Sequence, residues 1–350
     1  MVSAGVRSTK SRYERERWMR IDFKAELGSH LLVGFQGLTT GEQLVHILRE
    51  FAVGGIVLFR RNMQSPEQLR TLLEEAQAVA RETLKRPLWV AIDQEGGTVQ
   101  RLAPPFTQLP AARELAADGP EAIADWTATC ARELRQLGVH INFAPVLDVI
   151  SEGEPHFLGT RSLGCDPEEV ARLGRLWIRI LQENQISATA KHYPGLGQAQ
   201  LDPHHHTPVI HWPDAASRER DLIPFRAAID EGVHCIMTSH SHYPDLDPRW
   251  PATLSPIINR QWLRERLGFQ GVLCSDDLDM AAVNGRFTWG DIASQGLLAS
   301  IDLFLVCQEP DHIEPFAGAL WDAVRSHYSL ADAHQKSLQR LERLAQKHYQ

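Results

Sequence analysis

Short apolar runs alternate with longer amphipathic stretches along almost the whole chain. Eight of the apolar runs are five or six residues long, and most are rich in β-branched side chains. A continuous apolar run of this length is typical of a strand buried on both faces, as in a parallel sheet. We therefore predict strands at His30–Phe35, Gly55–Phe59, Leu88–Ile92, Val139–Phe143, Ser187–His192, His234–Thr238, Gly271–Ser275 and Ile301–Val306.

The stretches between these runs carry apolar residues at helical spacing. Four of them place a proline in the first turn, where its missing N–H costs no intrahelical hydrogen bond; these are Pro66, Pro120, Pro167 and Pro256. The pattern predicts helices at Gly41–Ala52, Pro66–Leu84, Pro120–Leu137, Pro167–Asn184, Ala215–Glu231, Pro256–Leu267, Gly290–Ala299 and Asp311–His327, with a last helix from Leu330 to about Gln346.

Strands that alternate with helices eight times predict an α/β protein with a single (β/α)8 barrel of the TIM type, assuming right-handed crossovers. An open doubly wound sheet is the main alternative. Such a sheet normally has a glycine-rich phosphate loop after its first strand, and Gly34-Phe35-Gln36-Gly37 matches that loop only weakly. No linker-like composition divides the chain. We predict a flexible tail at residues 1–20 and one barrel domain at residues 21–350.

Composition narrows the class of protein. The 350 residues include 43% hydrophobic and 23% charged residues, as in an ordinary globular protein. A net charge of −8 argues against a nucleic-acid partner. Residues 1–20 lack the apolar region of a signal peptide, and no run of about 18 apolar residues, as a membrane span needs, occurs in the sequence. The five cysteines are scattered without a C-x-x-C pair, which favours reduced thiols and a cytoplasmic protein. We expect a monomer.

Polar or ionisable residues follow six consecutive predicted strands. The carboxyl ends of barrel strands meet at one rim, where barrel enzymes hold their active sites. The residues concerned are Asp93-Gln94-Glu95-Gly96-Gly97 with Arg101, then Asp148 and Arg161, Lys191-His192, Ser239-His240-Ser241-His242, Ser275-Asp276-Asp277, and Cys307. One such residue alone is better explained as a helix cap. Together they predict a shared polar pocket.

The segment from Ala190 to His206 combines two glycines, two prolines, four histidines, a lysine and an aspartate. This mixture is typical of a functional loop and not of a core element. Asp202 and His204 lie two residues apart, and a carboxylate bonded to one imidazole nitrogen makes the other a usable general acid or base. His205 and His206 are more simply surface residues of the loop.

Asp276 carries the clearest indication of chemistry. A carboxylate after a buried strand, surrounded by Arg, Lys and His, stays ionised and can act as a nucleophile. The alternative is a capping role, which Asp277 could fill instead. A metal-dependent hydrolase is a further alternative because of the His-rich loop and His240-x-His242. Tyr243-Pro244 after His242 favours a turn, so we expect neither a metal nor an organic cofactor.

These motifs occur in an order that resembles the glycoside hydrolase family 3 β-N-acetylhexosaminidases, in particular the short single-domain bacterial NagZ-like enzymes. The resemblance runs from about Leu32 to Cys307. Its segments are Gly54 to Asn62, Asp93 to Gly97 with Val99-Gln100-Arg101, Phe143 to Val149, Gly159 to Ser162, Lys191 to Gly195, Pro251 to Ser255, and Ser275 to Leu278.

The resemblance implies a barrel-shaped retaining exo-glycosidase that removes terminal β-linked N-acetylglucosamine, with muropeptides of peptidoglycan recycling as the expected source. It implies Asp276 as the nucleophile and His204, with Asp202 as its partner, as the acid/base. A histidine in place of a second carboxylate is unusual among glycosidases. Further residues are expected to hold the sugar hydroxyls: Asp93, Arg101, Arg161, Lys191 and His192.

The chain departs from the family pattern at Thr98, Leu163, Tyr193, Leu196 and Pro203. Leu196 replaces a loop histidine, and Pro203 replaces the serine between Asp202 and His204. None of these changes removes a proposed catalytic group. Two alternatives remain: a phosphorylase that uses phosphate in place of water, since a cationic histidine tolerates an incoming anion, and a catalytically weak sugar-binding protein.

Overall fold

The computed structural model describes residues 23–84, 86–153, 156–199 and 208–348. The strands are β1 Leu31–Val33, β2 Gly55–Leu58, β3 Trp89–Ile92, β4 Gln94–Gly96, β5 Val99–Gln100, β6 Ile141–Asn142, β7 Ser187–Tyr193, β8 Cys235–Thr238, β9 Val272–Asp277 and β10 Leu303–Val306. Eight parallel strands close into a barrel in the order β1-β10-β9-β8-β7-β6-β3-β2, and β4 and β5 form a separate antiparallel pair.

The predicted (β/α)8 barrel is confirmed, and each predicted apolar run overlaps one barrel strand. The open doubly wound sheet is wrong because β1 pairs in parallel with β10 and closes the barrel, Leu31 standing opposite Phe304. The fourth strand is shorter than predicted, at Ile141–Asn142. The β4–β5 hairpin was not predicted, because two- and three-residue strands are too short to show a period in the sequence.

Helices surround the barrel at Phe23–Gly28, Glu42–Phe51, Pro66–Leu84, Ala112–Asp118, Pro120–Leu137, Pro167–Glu183, Ala215–Asp230, Trp289–Leu298, Ile313–Ser326 and Tyr328–Gln346. Pro66, Pro120 and Pro167 each begin a helix as predicted. The segment after Pro256 differs from an ordinary α-helix, since Ile257–Arg266 is a π-helix with i→i+5 hydrogen bonds. The sequence pattern did not predict the short helices Phe23–Gly28 and Ala112–Asp118.

Two apolar layers hold the barrel together. The outer layer lies between the sheet and the helices, and the inner layer fills the barrel with side chains such as Leu32, Phe143 and Met237. Leu341 and Leu344 of the last helix pack against the inner layer and so close the amino-terminal end of the barrel. The predicted reduced thiols agree with this packing: the five cysteines are free, and all except Cys165 are buried.

The described helices include none that is both long and apolar enough to cross a lipid bilayer. The predicted tail at residues 1–20 lies outside the described residues.

Histidines gather at the amino-terminal end of the barrel. The His30 and His334 rings meet through a 2.7 Å Nε2–Nδ1 hydrogen bond. Around Ser187, the hydroxyl lies 2.9 Å from His234 Nδ1 and 2.7 Å from His348 Nε2. Burial lowers the pKa of His334 and of His234 to about 3, and that of His348 to about 4. These imidazoles are therefore neutral in the folded protein at pH 7.

We expect the free energy of unfolding to fall as the pH is lowered from about 6.5 to 5. In that range the unfolded chain binds protons at these histidines while the folded chain does not, so each contributes a loss of up to ~1.4 kcal/mol per pH unit. Urea unfolding at several pH values measures the slope of the unfolding free energy against pH. His140→Asn should reduce it, because burial lowers the pKa of His140 to about 3 and an amide oxygen can still accept the Val90 N–H. An unchanged slope would contradict this account.

Candidate active site

A cavity of about 250 Å³ lies at the carboxyl ends of the strands. Its wall mixes apolar side chains from the barrel interior with carboxylates and a guanidinium. The lining residues are Val57, Phe59, Asp93, Arg101, Phe143, Met237, Asp276, Asp277, Asp279, Met280, Leu305, Cys307 and Gln308. This is the end at which barrel enzymes act. The cavity is therefore the candidate active site.

Asp93 follows β3 directly and binds two cations from different parts of the chain. Its Oδ1 accepts a hydrogen bond of 2.9 Å from Lys191 Nζ, and its Oδ2 accepts one of 3.0 Å from Arg101. Lys191 lies in β7, whereas Arg101 follows the β4–β5 hairpin. The β4–β5 hairpin thus reverses the direction of the chain, so that Arg101 lies beside Asp93 at the carboxyl end of β3.

Glu95 extends this pairing to a third cation. Lys191 Nζ lies 2.6 Å from Glu95 Oε1, and Arg161 binds both oxygens of Glu95 at 2.8 and 2.9 Å. Glu95 is 3% exposed and Lys191 is 2% exposed. Asp93, Glu95, Arg101, Arg161 and Lys191, which we call the rim cluster, form one connected ionic network.

Opposite charges inside the rim cluster overcome the cost of burial. Burial by itself would raise the pKa of Asp93, but Lys191 and Arg101 hold that pKa well below its usual value. Lys191 and Arg161 act likewise on Glu95, whose pKa is also lowered. Burial would lower the pKa of Lys191, yet Asp93 and Glu95 raise it. The side chains of the rim cluster are therefore charged at neutral pH and present fixed hydrogen-bonding groups.

His192 is placed by Asp148 and not by the rim cluster. Its Nδ1 lies 2.7 Å from Asp148 Oδ2, which also accepts the His192 backbone N–H at 3.2 Å. Asp148 Oδ1 accepts the backbone N–H of Leu196 at 2.6 Å. A carboxylate at Nδ1 fixes the tautomer that carries its proton there and leaves Nε2 available to a ligand. Asp148 thus orients His192 and holds the chain immediately after it.

Asp276 lies near the end of β9 and lines the same cavity as Asp93 and Arg101. Its Oδ1 accepts the backbone N–H of Asp277 at 2.8 Å. The capping alternative does not fit this position, since the next α-helix begins only at Trp289. Asp276 therefore combines partial exposure with a place on the cavity wall, as a nucleophile requires.

The neighbouring carboxylates have a structural task. Asp277 Oδ1 accepts the backbone N–H groups of Asp279 and Cys307 at 3.2 and 3.0 Å. Asp279 accepts backbone N–H groups of Gln308 and Glu309 at 2.8 and 3.0 Å. Burial, followed by the charges of Asp279 and Asp276, raises the pKa of Asp277 to about 7. Asp277 and Asp279 thus tie the end of β9 to the end of β10.

The predicted acid/base pair cannot be placed. Asp202 and His204, with Pro203, His205 and His206, lie outside the described residues, which stop at Ala199 and resume at Pro208. The two flanks are described. Leu196, where the family has a histidine, is 1% exposed and belongs to the apolar core.

The hydrogen-bonded ring nitrogens of His240 and His242 do not face a common point. His240 Nδ1 lies 2.7 Å from Thr253 Oγ1, and its Nε2 lies 2.9 Å from the Asp277 carbonyl oxygen. His242 Nε2 lies 2.9 Å from the Asp247 carbonyl oxygen. Within the part of the chain that the structure describes, no group of three or more His, Cys, Asp or Glu side chains is arranged to hold a metal ion.

A larger groove, of about 580 Å³, lies on the outer surface between helices Pro167–Glu183 and Ala215–Asp230. Its arginines already bind carboxylates: Arg172 binds Glu169, and Arg175 and Arg179 bind Glu231. Its carboxylates, Glu168 and Asp230, lie on these outer helices and not at the carboxyl ends of the strands, where barrel enzymes act. The smaller cavity at the strand ends remains the better candidate.

The structure joins Asp93, Arg101, Arg161 and Lys191 in one network and places Asp276 on the same cavity wall. Two residues that organise this arrangement, Glu95 and Asp148, were predicted to lie in the polar pocket but were assigned no role there. The role of Glu95 could have been inferred from its place two residues after Asp93 in a polar segment. The role of Asp148 could have been inferred from its being a lone charge in the apolar run from Phe143 to Ile150.

Comparisons with known proteins agree with this geometry. Residues 25–344 match the family described as Glycosyl hydrolase family 3 N terminal domain. A beta-hexosaminidase of Alkalilimnicola ehrlichii is 37% identical over 290 residues, which cover 81% of this chain and 82% of the relative. A beta-hexosaminidase of Nitrosomonas eutropha is 35% identical over 334 residues, with coverage of 91% and 92%.

Solved structures show the same likeness. A glycoside hydrolase family 3 beta-N-acetylglucosaminidase from Paenibacillus sp. superposes with a TM-score of 0.89 at 36% identity and covers 94% of this chain. The match spans only 63% of the Paenibacillus chain. NagZ from Neisseria gonorrhoeae superposes with a TM-score of 0.74 at 31% identity, and the match covers 89% of this chain and 98% of NagZ. The chain therefore belongs to glycosyl hydrolase family 3 and is a glycoside hydrolase.

Proposed function

We propose that the chain is a retaining exo-β-N-acetylhexosaminidase that removes a terminal β-linked N-acetylglucosamine. One observation carries the proposal: Asp276 and the ionic pair Asp93–Arg101 line a single cavity at the catalytic end of a family 3 barrel. The cavity, about 250 Å³, is smaller than the roughly 300–1,000 Å³ of drug-sized sites. That size suits one sugar ring, in agreement with removal of terminal residues.

The rim cluster provides the sugar-binding groups in this proposal. Asp93 accepts hydrogen bonds from sugar hydroxyls, and Arg101, Arg161 and Lys191 donate to hydroxyl oxygens. Because these side chains are already fixed by one another, little conformational entropy is lost when the sugar binds. His192, oriented by Asp148, adds Nε2 as a further partner. The apolar side chains of the cavity wall pack against the carbon skeleton of the ring.

The chemistry proceeds in two steps. First, a carboxylate oxygen of Asp276 attacks the anomeric carbon while the glycosidic C–O bond breaks, and the departing oxygen takes a proton from protonated His204. This gives a covalent glycosyl–aspartate ester. Then neutral His204 takes a proton from water, the water oxygen attacks the anomeric carbon, and the bond to Asp276 breaks. Two inversions give net retention. Asp202 stabilises the imidazolium form of His204.

We further propose that the substrate is derived from muropeptides and that the enzyme works in the cytoplasm as a monomer. The names of the relatives support a hexosaminidase, and the family resemblance supports the peptidoglycan source. Chitin fragments are the other source of the same terminal sugar. Hydrolysis of N-acetylglucosaminyl-N-acetylmuramic acid compared with chitobiose, measured as kcat/KM, distinguishes the two.

The direct test is hydrolysis of an aryl β-N-acetylglucosaminide followed by proton NMR. We expect β-N-acetylglucosamine as the first product, before mutarotation, and no dependence of the product on phosphate. Release of the α-anomer first would contradict retention. N-acetylglucosamine 1-phosphate formed in phosphate buffer would instead identify a phosphorylase. Binding of N-acetylglucosamine without release of the aryl group would identify a sugar-binding protein.

A further inference from the structure

Asp221 lies in the helix Ala215–Asp230 and is buried, with 1% of its surface exposed. It takes no part in the rim cluster or the cavity wall. Its carboxylate instead faces both stretches of chain that flank residues 200–207. That segment carries Asp202 and His204, so the contacts of Asp221 bear on the proposed acid/base pair.

On the amino-terminal side, Asp221 Oδ2 accepts a hydrogen bond of 3.0 Å from Gln198 Nε2. The backbone at Gly195 passes directly beside Asp221, because a Cβ built on Gly195 would lie 3.0 Å from Asp221 Cβ. Tyr243 adds a second hold there by donating its hydroxyl to the Gly195 carbonyl oxygen at 2.7 Å. Three contacts, two from Asp221 and one from Tyr243, thus locate the chain shortly before it reaches residue 200.

On the carboxyl-terminal side, the same oxygen of Asp221 accepts the Trp212 Nε1–H at 2.9 Å. The Trp212 ring packs on Tyr243 with 5.0 Å between ring centroids. The Trp212 backbone N–H donates to Asp245 Oδ2 at 3.0 Å. One carboxylate oxygen therefore binds a side chain from each flank of the segment.

This carboxylate is costly to bury. Burial raises the pKa of Asp221 to about 6, even though Trp212, Arg220 and Gln198 stabilise its charge. The Arg220 guanidinium lies 3.3 Å from Asp221 Oδ1 and also donates to the Ile150 carbonyl oxygen at 2.8 Å. An apolar residue at this place would avoid the cost of desolvation. An apolar residue could not, however, accept the hydrogen bonds from Gln198 and Trp212.

We propose that Asp221 is a positioning residue for general acid/base catalysis: it fastens both flanks of the segment that bears Asp202 and His204. The inference rests on the proposed function, since it assigns Asp221 a role in delivering His204 to the glycosidic oxygen. General acid catalysis contributes roughly 10²–10⁴-fold to a rate, and small displacements of a catalytic group forfeit much of it.

The consequence is a dependence on the leaving group. A poor leaving group, such as an alkoxide or an unsubstituted phenol, needs the proton from His204 to depart. A dinitrophenolate departs without it. Loosening the segment should therefore slow cleavage of substrates with a poor leaving group and leave cleavage of the dinitrophenyl substrate nearly unchanged. The ratio kcat/KM is the proper measure because it reports the first chemical step and excludes the later hydrolysis of the ester.

Trp212→Phe and Gln198→Leu each remove one donor to Asp221 while keeping most of the side-chain volume. We expect each to lower kcat/KM about 10-fold for phenyl β-N-acetylglucosaminide and less than about 2-fold for the dinitrophenyl substrate. Trp177→Phe, which changes another buried tryptophan outside the flanks, is the matched control and should leave the ratio of the two substrates unchanged. Asp221→Asn keeps an acceptor oxygen and should stay closer to wild type than Asp221→Ala.

An equal loss with both substrates, or no loss with either, would overturn the inference. A second measurement does not depend on activity: hydrogen–deuterium exchange of a peptide spanning residues 195–212. We expect faster exchange in Trp212→Phe and Gln198→Leu than in wild type or Trp177→Phe, and unchanged exchange would also overturn the inference. If the wild-type chain releases no product from either glycoside, the proposed function fails, and the exchange data still decide whether Asp221 fastens the flanks.

Discussion

Replacing Asp276 by glycine should lower kcat/KM for an aryl β-N-acetylglucosaminide by at least about 10⁴-fold, because the carboxylate that forms the covalent intermediate is gone. The fold should survive. Asp276 is partly exposed on the cavity wall, and its carboxylate accepts the N–H of the adjacent Asp277, so little burial or hydrogen bonding is lost. Thermal unfolding should therefore remain close to that of the wild-type protein.

Added azide gives this prediction a positive readout. In Asp276→Gly a small anion can occupy the space of the missing carboxylate and attack the anomeric carbon of an activated substrate from the same face. A single displacement inverts the configuration, so the product should be the α-glycosyl azide. Formation of the β-azide, or wild-type turnover without azide, would remove Asp276 from the nucleophile role.

Asp277→Asn is the matched control, since it changes the next carboxylate along the same strand. An amide oxygen can still accept the Asp279 and Cys307 N–H groups. Because burial and the neighbouring carboxylates raise the pKa of Asp277 to about 7, its charge is already partial near neutral pH. We expect a loss of less than about 10-fold in kcat/KM, far below the effect at Asp276.

Replacing Lys191 by methionine should lower the free energy of unfolding by about 3–5 kcal/mol at pH 7, the usual result when one partner of a buried ion pair is removed. Lys191 lies 2.9 Å from Asp93 and 2.6 Å from Glu95, and it is 2% exposed. Without its ammonium the two carboxylates stay buried with only one cation each, Arg101 and Arg161. Sugar binding should weaken in the same variant.

Urea unfolding of three variants tests this account. Lys191→Met with Glu95→Gln removes one of the stranded carboxylates and should recover part of the loss. Arg172→Met breaks an equally short but exposed ion pair with Glu169, so it should cost less than about 1 kcal/mol. Equal losses in Lys191→Met and Arg172→Met would show that burial of the pair does not matter.

The pH dependence of Lys191→Met has a definite sign. The folded-state pKa values of Asp93 and Glu95 are lowered, so their ionisation stabilises the wild-type fold above the unfolded values of 3.8 and 4.5. This contribution is lost as the pH falls. In Lys191→Met this stabilising contribution of the two carboxylates is already reduced. The difference in unfolding free energy between the two proteins should therefore shrink below about pH 4.

The barrel could be predicted because each of its strands is an apolar run bounded by a helix with its own 3.6-residue period, and both signals are local. The cluster of polar residues at the strand ends could be predicted for a related reason. Once the strands are parallel, their carboxyl ends meet at one rim, so Asp93, Lys191 and Asp276 must lie near one another.

The ion-pair partners of those residues could not be predicted from local patterns in the sequence. Lys191 and Asp93 are 98 residues apart, and Arg161 is 66 residues from Glu95. No local period links such positions. The pairing depends on the barrel order, in which β6 stands between β3 and β7, and on the β4–β5 hairpin, which brings Arg101 back to Asp93. The role of Glu95 was missed for this reason.

The segment from Ala190 to His206 shows the difference between what the sequence determines and what only the folded structure decides. Its composition by itself marks it as a working loop, and the local pair Asp202–His204 suggests a proton donor, because residue type and short spacing are properties of the chain alone. Only the folded structure shows that Asp148 orients His192 and that Asp221 binds both Gln198 and Trp212. These carboxylates come from distant elements, and packing of the helices on the barrel brings them to the loop.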